Sequence, residues 1–368
     1  MNSNVLGGLN NPPRLNVLIS HHALSEPQHS QRLVTNQQHT PVICGCIRCF
    51  CMVSLLVGFV RHPNPPYFPI IQIYMMHIAL AYLSVVLLWA TTPLAIKWSI
   101  ESAGFLFGVT ARMAIGTLCV LLVLLLSKHR LVWHGKAQLT YLAVALQIYG
   151  SMLAIYWAAQ FIPSGWISVI AGLTPLITAL LAAIWLGEQS LTWGKLLSYF
   201  MGIGGLLIMF GSAFDMNHDA VLGMAGVLFG VFLQSFSAVW VKRIDAKLPA
   251  LVQVAGGLLL ALLAYILTWR VFGEQLPTEV SFISSASILY LGVVATTLGF
   301  VLYYYLLTQL ETTQVALITL VCPVMALLLG HTVNHELLTQ KIIIGTALIL
   351  TALFIHLFFD RFLRLKKQ

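Results

Sequence analysis

The sequence predicts an all-α integral membrane protein: ten transmembrane helices arranged as two inverted five-helix repeats. Three observations carry this. The chain is 59% hydrophobic and 8% charged, its apolar runs recur at regular intervals, and a Pro-to-Glu spacing occurs twice. Soluble domains carry about 25% charged residues. With so few charges, 368 residues cannot cover a water-facing surface, and lipid has to do so.

Residues 1–74 read as an N-terminal tail, disordered or dispensable to the bundle. Its first 41 residues are polar and lack periodicity, which is the composition of disorder. The apolar stretch 49–60 lies between Arg48 and Arg61. It falls short of the roughly 20 residues a span needs. The clean helical pattern starts at Met75 or Met76, an alternative start for the physiological chain. Spans follow near 77–97, 104–126, 138–158, 165–186, 193–213, 221–241, 250–270, 286–307, 313–331 and 341–360. The connecting loops are too short to hold a soluble domain.

Orientation follows from Lys and Arg, which concentrate in cytoplasmic loops. With the N-terminus inside, the cytoplasmic segments hold Lys128, Arg130, Lys136, Lys195, Lys242, Arg243 and Lys247. The tail and the C-terminal Arg361, Arg364, Lys366 and Lys367 join them. Only Lys97, Arg270 and Lys341 fall outside. The expectation is a multi-pass protein of the inner (plasma) membrane with both termini cytoplasmic. The net charge of +8 is thereby an orientation signal, and no nucleic-acid partner is expected.

A shift of 148 residues superposes Tyr156 on Tyr304, Pro175 on Pro323 and Glu188 on Glu336, with thirteen residues from Pro to Glu in each half. A shift of 145 pairs Lys97 with Lys242. Chance matches of Leu and Ile mean little, but Pro and Glu are rare in and beside spans. The repeats run over 75–213 and 221–368. An odd number of helices per half inverts the second, the symmetry that supports alternating access to a site at the interface.

These features resemble the EamA-type transporters of the drug/metabolite transporter superfamily. The resemblance rests on the doubled five-helix unit, on Arg112 in the second span, and on the stretches Ser164–Glu188 and Thr312–Glu336. It covers about residues 77–360. It implies a ten-helix carrier for small metabolites, commonly an exporter of amino acids or related compounds. Two features depart from the pattern: the long tail, and Gly256-Gly257 where the first half has Ala111-Arg112.

The candidate substrate-binding residues are Trp89, Thr92, Arg112, Tyr156, Pro175, Gln234, Trp240, Tyr304 and Pro323. Proline lacks an N–H and clashes with the carbonyl four residues back, here those of Ala171 and Thr319. Such freed carbonyls bind substrate in broken transporter helices. Alternatively each proline is a kink satisfied by a neighbouring hydroxyl. Arg112 is the clearly intramembrane charge. An arginine at a helix centre costs about 2.5–3.5 kcal/mol on insertion scales and so faces a cavity or a partner. It receives a substrate anion, or it packs against carbonyls of another span. Trp89, Tyr156, Trp240 and Tyr304 have polar neighbours in Thr91, Thr92, Gln234 and Ser237. They line a cavity or anchor the bundle at the lipid interface. Glu188 and Glu336 fall at membrane surfaces, where a solvated turn residue competes with a role in proton coupling.

The tail cysteines Cys44, Cys46, Cys49 and Cys51 are too compressed for the two separated pairs of a zinc site. No cofactor or metal is expected. Walker, dinucleotide and nucleophile-elbow motifs do not occur in the required context, which excludes an ATP-driven pump on this chain. The function expected is a non-enzymatic secondary transporter exporting small polar metabolites, with a proton as a possible coupling ion. The alternatives are an importer or lipid-carrier flippase of the same superfamily, or a membrane-embedded lipid-modifying enzyme.

Overall fold

The computed structural model describes residues 68–127, 129–187, 192–272, 276–310, 315 and 317–365. The cysteine-bearing tail and Glu188 lie outside the described residues. Among these residues the chain is helical and has no strand. Eight helices are long and apolar enough to cross a membrane. They are α1 (Phe68–Glu101), α2 (Phe105–Leu126), α3 (Gly135–Ala158), α4 (Ser164–Leu186), α5 (Trp193–Met216), α6 (His218–Ile244), α7 (Ala250–Phe272) and α10 (Gln340–Leu365). Two shorter apolar helices are α8 (Phe282–Leu298), which runs on into Gly299–Gln309, and α9 (Ile318–Asn334).

Helix α1 starts at Phe68, ahead of the expected boundary at residue 75. Pro69 sits in its first turn, where the missing N–H has no intrahelical partner to lose. Two spans contain π-helical stretches, Leu146–Ser151 in α3 and Tyr290–Leu298 in α8. Such widened turns re-aim side chains and recur at functional sites. Helix α4 is interrupted at Gly172-Leu173, and its second segment begins at Thr174 with Pro175 in the first turn. The break was expected, but the freed carbonyl is occupied: Thr174 Oγ1 donates to Ala171 O at 2.6 Å. Pro323, by contrast, lies inside an uninterrupted α9. The expectation of two proline-broken helices therefore holds for one of the pair.

Most packing joins a helix before Asn217 to one after it: α1 with α8 and α9, α2 and α3 with α7, α4 with α6 and α9, and α5 with α10. Glycines set the closest approaches. A Cβ on Gly256 would fall 2.3 Å from the Tyr141 ring, and one on Gly205 would fall 2.7 Å from the Gly345 carbonyl. Large apolar side chains such as Leu126, Ile184 and Phe200 point outward, as lipid-facing surfaces require.

Candidate substrate site

A cavity of about 790 Å³ lies where helices from both parts of the chain meet. Helix α1 contributes Trp89, Thr92, Pro93 and Ile96, and α2 contributes Arg112. From α4 come a hydroxyl series, Ser168, Thr174 and Thr178, together with Pro175. Helix α6 adds Gln234 and Lys242, and Tyr303, Thr319, Cys322 and Pro323 close the wall. Trp89 and Tyr303 pack with their ring centroids 5.0 Å apart.

Arg112 is 7% exposed and borders this space. Its Nε donates to Thr296 Oγ1 and its Nη1 to the Tyr156 hydroxyl, each at 3.4 Å. The guanidinium also lies over the Tyr156 ring, 6.0 Å from the centroid. The π-helical turn of α8 places Thr296 there. Its hydroxyl donates to Leu291 O, five residues back, at 2.8 Å, and accepts from Arg112. Gly116 permits the approach, since a Cβ on it would sit 3.0 Å from Thr296 Cγ2. Among the described residues no carboxylate pairs with Arg112. A guanidinium has five N–H donors in a planar fork, so two long bonds to neutral hydroxyls leave most of its donor capacity for something else.

The EamA-like transporter family is matched twice along the chain, over residues 75–211 and 221–358. The protein belongs to the EamA-like transporter family. It is a multi-pass membrane protein and a transporter of the drug/metabolite transporter superfamily. It is 26% identical over 293 residues to an uncharacterized transporter, YoaV, of Bacillus subtilis, covering 77% of this chain and 98% of that one. A protein of Escherichia coli named "Probable amino-acid metabolite efflux pump" is 25% identical over 213 residues, 55% of this chain and 71% of that one. A solved crystal structure shares the fold at a TM-score of 0.56 and 20% identity, covering 78% of this chain and 99% of that chain.

In this EamA-like chain, six of the nine residues singled out from sequence line the cavity: Trp89, Thr92, Arg112, Pro175, Gln234 and Pro323. Tyr156 is wholly buried behind the wall, where it holds Arg112. Trp240 lies off the cavity and packs on Phe236 at 6.0 Å. The Tyr304 side chain lies outside the described set, and its neighbour Tyr303 occupies the wall instead. Lys242 and Pro93 were not anticipated. Lys242 reads as an orientation charge because it ends an apolar run, yet the last turn of α6 turns it to the cavity. Pro93 was legible, standing beside Thr91 and Thr92 inside the first span.

Glu336 also departs from the expectation of a solvated turn residue. Its carboxylate accepts from the backbone N–H of Ser164 at 2.9 Å and of Gly165 at 3.2 Å, and from Asn334 Nδ2 at 2.9 Å. It therefore caps the start of α4 from just past the end of α9.

Proposed function

We propose that the protein is a secondary carrier that exports a small polar metabolite, such as an amino acid or a related compound, by alternating access. In this reading ten spans form two inverted five-helix repeats, 75–213 and 221–368, both termini are cytoplasmic, and the 790 Å³ cavity between the repeats is the substrate site. The observation that carries it is Arg112: a buried cation on the cavity wall, bonded among the described residues to neutral hydroxyls. A permanent cation in a low-dielectric site is costly without a partner, and a substrate carboxylate supplies one through two parallel charge-assisted bonds. The names of the Escherichia coli relative and its Salmonella typhimurium counterpart support amino-acid metabolites as the cargo class. A proton is the coupling ion we assign.

The test is a comparison of extracellular metabolites from cells overproducing the protein or its Arg112→Ala variant, with and without a proton-gradient uncoupler. A compound that accumulates outside only with the unaltered chain, and only without uncoupler, is the expected result. Identical profiles for the two proteins would remove Arg112 and the cavity from the reading, and accumulation inside the cells would reverse the direction.

A further inference from the structure

We propose that Glu336 is the pin of a gate that closes one end of the cavity, and that transport requires its carboxylate to leave the amides of α4. The proposal rests on the carrier reading above and adds to it the residue that controls access.

The geometry begins at the end of α9. His335 takes a left-handed backbone conformation with φ of 52°, and the N–H of Glu336 donates to Gly330 O at 3.0 Å. The N–H of His335, five positions on, shares the same Gly330 acceptor, and this left-handed helix end folds Glu336 back over its own helix. Gly330 leaves the space, since a Cβ there would lie 2.4 Å from Glu336 Oε2. Gly165 on α4 is equally crowded, 2.7 Å from Leu327 Cδ2 for a Cβ. Two glycines on facing helices thus let the carboxylate of one repeat reach the first amides of the other.

Three helices meet at this point. Asn334 donates to Glu336 Oε1 and accepts from Trp98 Nε1 of α1 at 3.2 Å. Lys97, next to Trp98, donates to Ile162 O at 2.9 Å, just ahead of α4, and interacts electrostatically with Glu336. A carboxylate on helix N-terminal amides combines charge-assisted bonds with the helix dipole. Its removal costs more than loss of a neutral cap.

The position makes this contact a gate. Among the cavity-lining residues, Ile96 directly precedes Lys97, and Ile167 and Ser168 lie about one helical turn along α4 from Ser164. At the opposite end the lining reaches Lys242, two residues before α6 ends at Ile244. The Glu336 contact thus stands beside the lining at the Ile96 and Ser168 end, away from Lys242. Ser168 and the break at Gly172 belong to the helix that Glu336 holds. A purely structural cap has to be present in every state, whereas a gate has to open.

The experiment measures access from each side with a membrane-impermeant maleimide. Ser168→Cys is the reporter in the full chain, read by peptide-level mass spectrometry so that the native cysteines do not interfere. Leu337→Cys, at an 80% exposed position beside Glu336, identifies the side being labelled. Adding Glu336→Gln is expected to raise the labelling rate at position 168 from the Glu336 side at least severalfold, with folded yield retained. Gly330→Ala, which pushes the carboxylate away while keeping its charge, is expected to do the same. Unchanged labelling from that side in both variants, or loss of folded protein in both, makes Glu336 a structural cap and overturns the gate. No substrate enters this assay, so its outcome is separable from that of the carrier reading.

Discussion

The Tyr156 hydroxyl lies 3.4 Å from Arg112 Nη1, and the same ring presents its face to the guanidinium at 6.0 Å. Tyr156 comes from α3 and Arg112 from α2, so a neutral aromatic residue steadies the charge without neutralising it. Thr296 does the same from α8. The arrangement fixes the direction of the guanidinium through neutral partners and brings no carboxylate to it among the described residues.

Replacing Arg112 separates this role from a packing role. Arg112→Ala is expected to lower flux about 10–100-fold per folded molecule, from the roughly 1.5–3 kcal/mol of a hydrogen bond to a charged group. Arg112→Lys should retain part of the flux, since it keeps the charge and loses the planar fork. Flux normalised to folded protein in detergent is the measurement. Normal flux per molecule in the Ala variant would take Arg112 out of the site.

The glycine at 256 tests the packing account. Its absent Cβ makes room for the Tyr141 ring at 2.3–2.5 Å, whereas a Cβ on Gly204 meets nothing within 4 Å. Gly256→Val should destabilise by at least about 1–3 kcal/mol, the usual cost of overpacking, seen as a lower melting temperature in detergent. Gly204→Val should leave the melting temperature close to that of the unaltered protein. Equal effects of the two would break the link between close approach and stability.

Orientation is tested by a reporter active only outside the cytoplasm. Fusion at Asp219, in the first turn of α6, is expected to give signal, while fusion at Lys247 or Gln368 is expected to give none. The expectation rests on the bias of Lys and Arg toward one set of loops. The opposite pattern would place the gate end of the cavity in the cytoplasm.

Residues ahead of Met75 are expected to be dispensable. A chain beginning at Met75 keeps the apolar span Met76–Glu101 intact. It should insert and transport as well as the full chain, measured as flux per membrane-inserted molecule. Loss of insertion would show that the earlier residues, including the first turns of α1, contribute to the bundle.

The elements were legible in the sequence because each is encoded locally. Apolar runs gave helices close to their observed positions, and Gly187, like His335 148 residues on, takes a left-handed conformation at a helix end. Arg112 was legible because a charge within an apolar run has few places to go. Helix-to-helix reach is not encoded in that way. The carboxylate of Glu336 meets α4 only because Gly165 and Gly330 bring two helices together, and no spacing announces that contact. The rotation of α6 that turns Lys242 inward and leaves Trp240 aside is likewise set by packing against α3 and α4. Pro323 shows the converse limit. Its sequence match to Pro175 is sound, yet neighbouring turns absorb one proline without a break and not the other.

The paired helices α5 and α10 touch through Gly205 and Gly345, backbone against backbone, and among the described residues neither lends a side chain to the cavity wall. That leaves a pair of helices on which labels can be placed clear of the cavity. Gly204 and Gly211, on α5, border open space, so spectroscopic probes attached there can report distances to α1 and α4 from positions off the cavity wall.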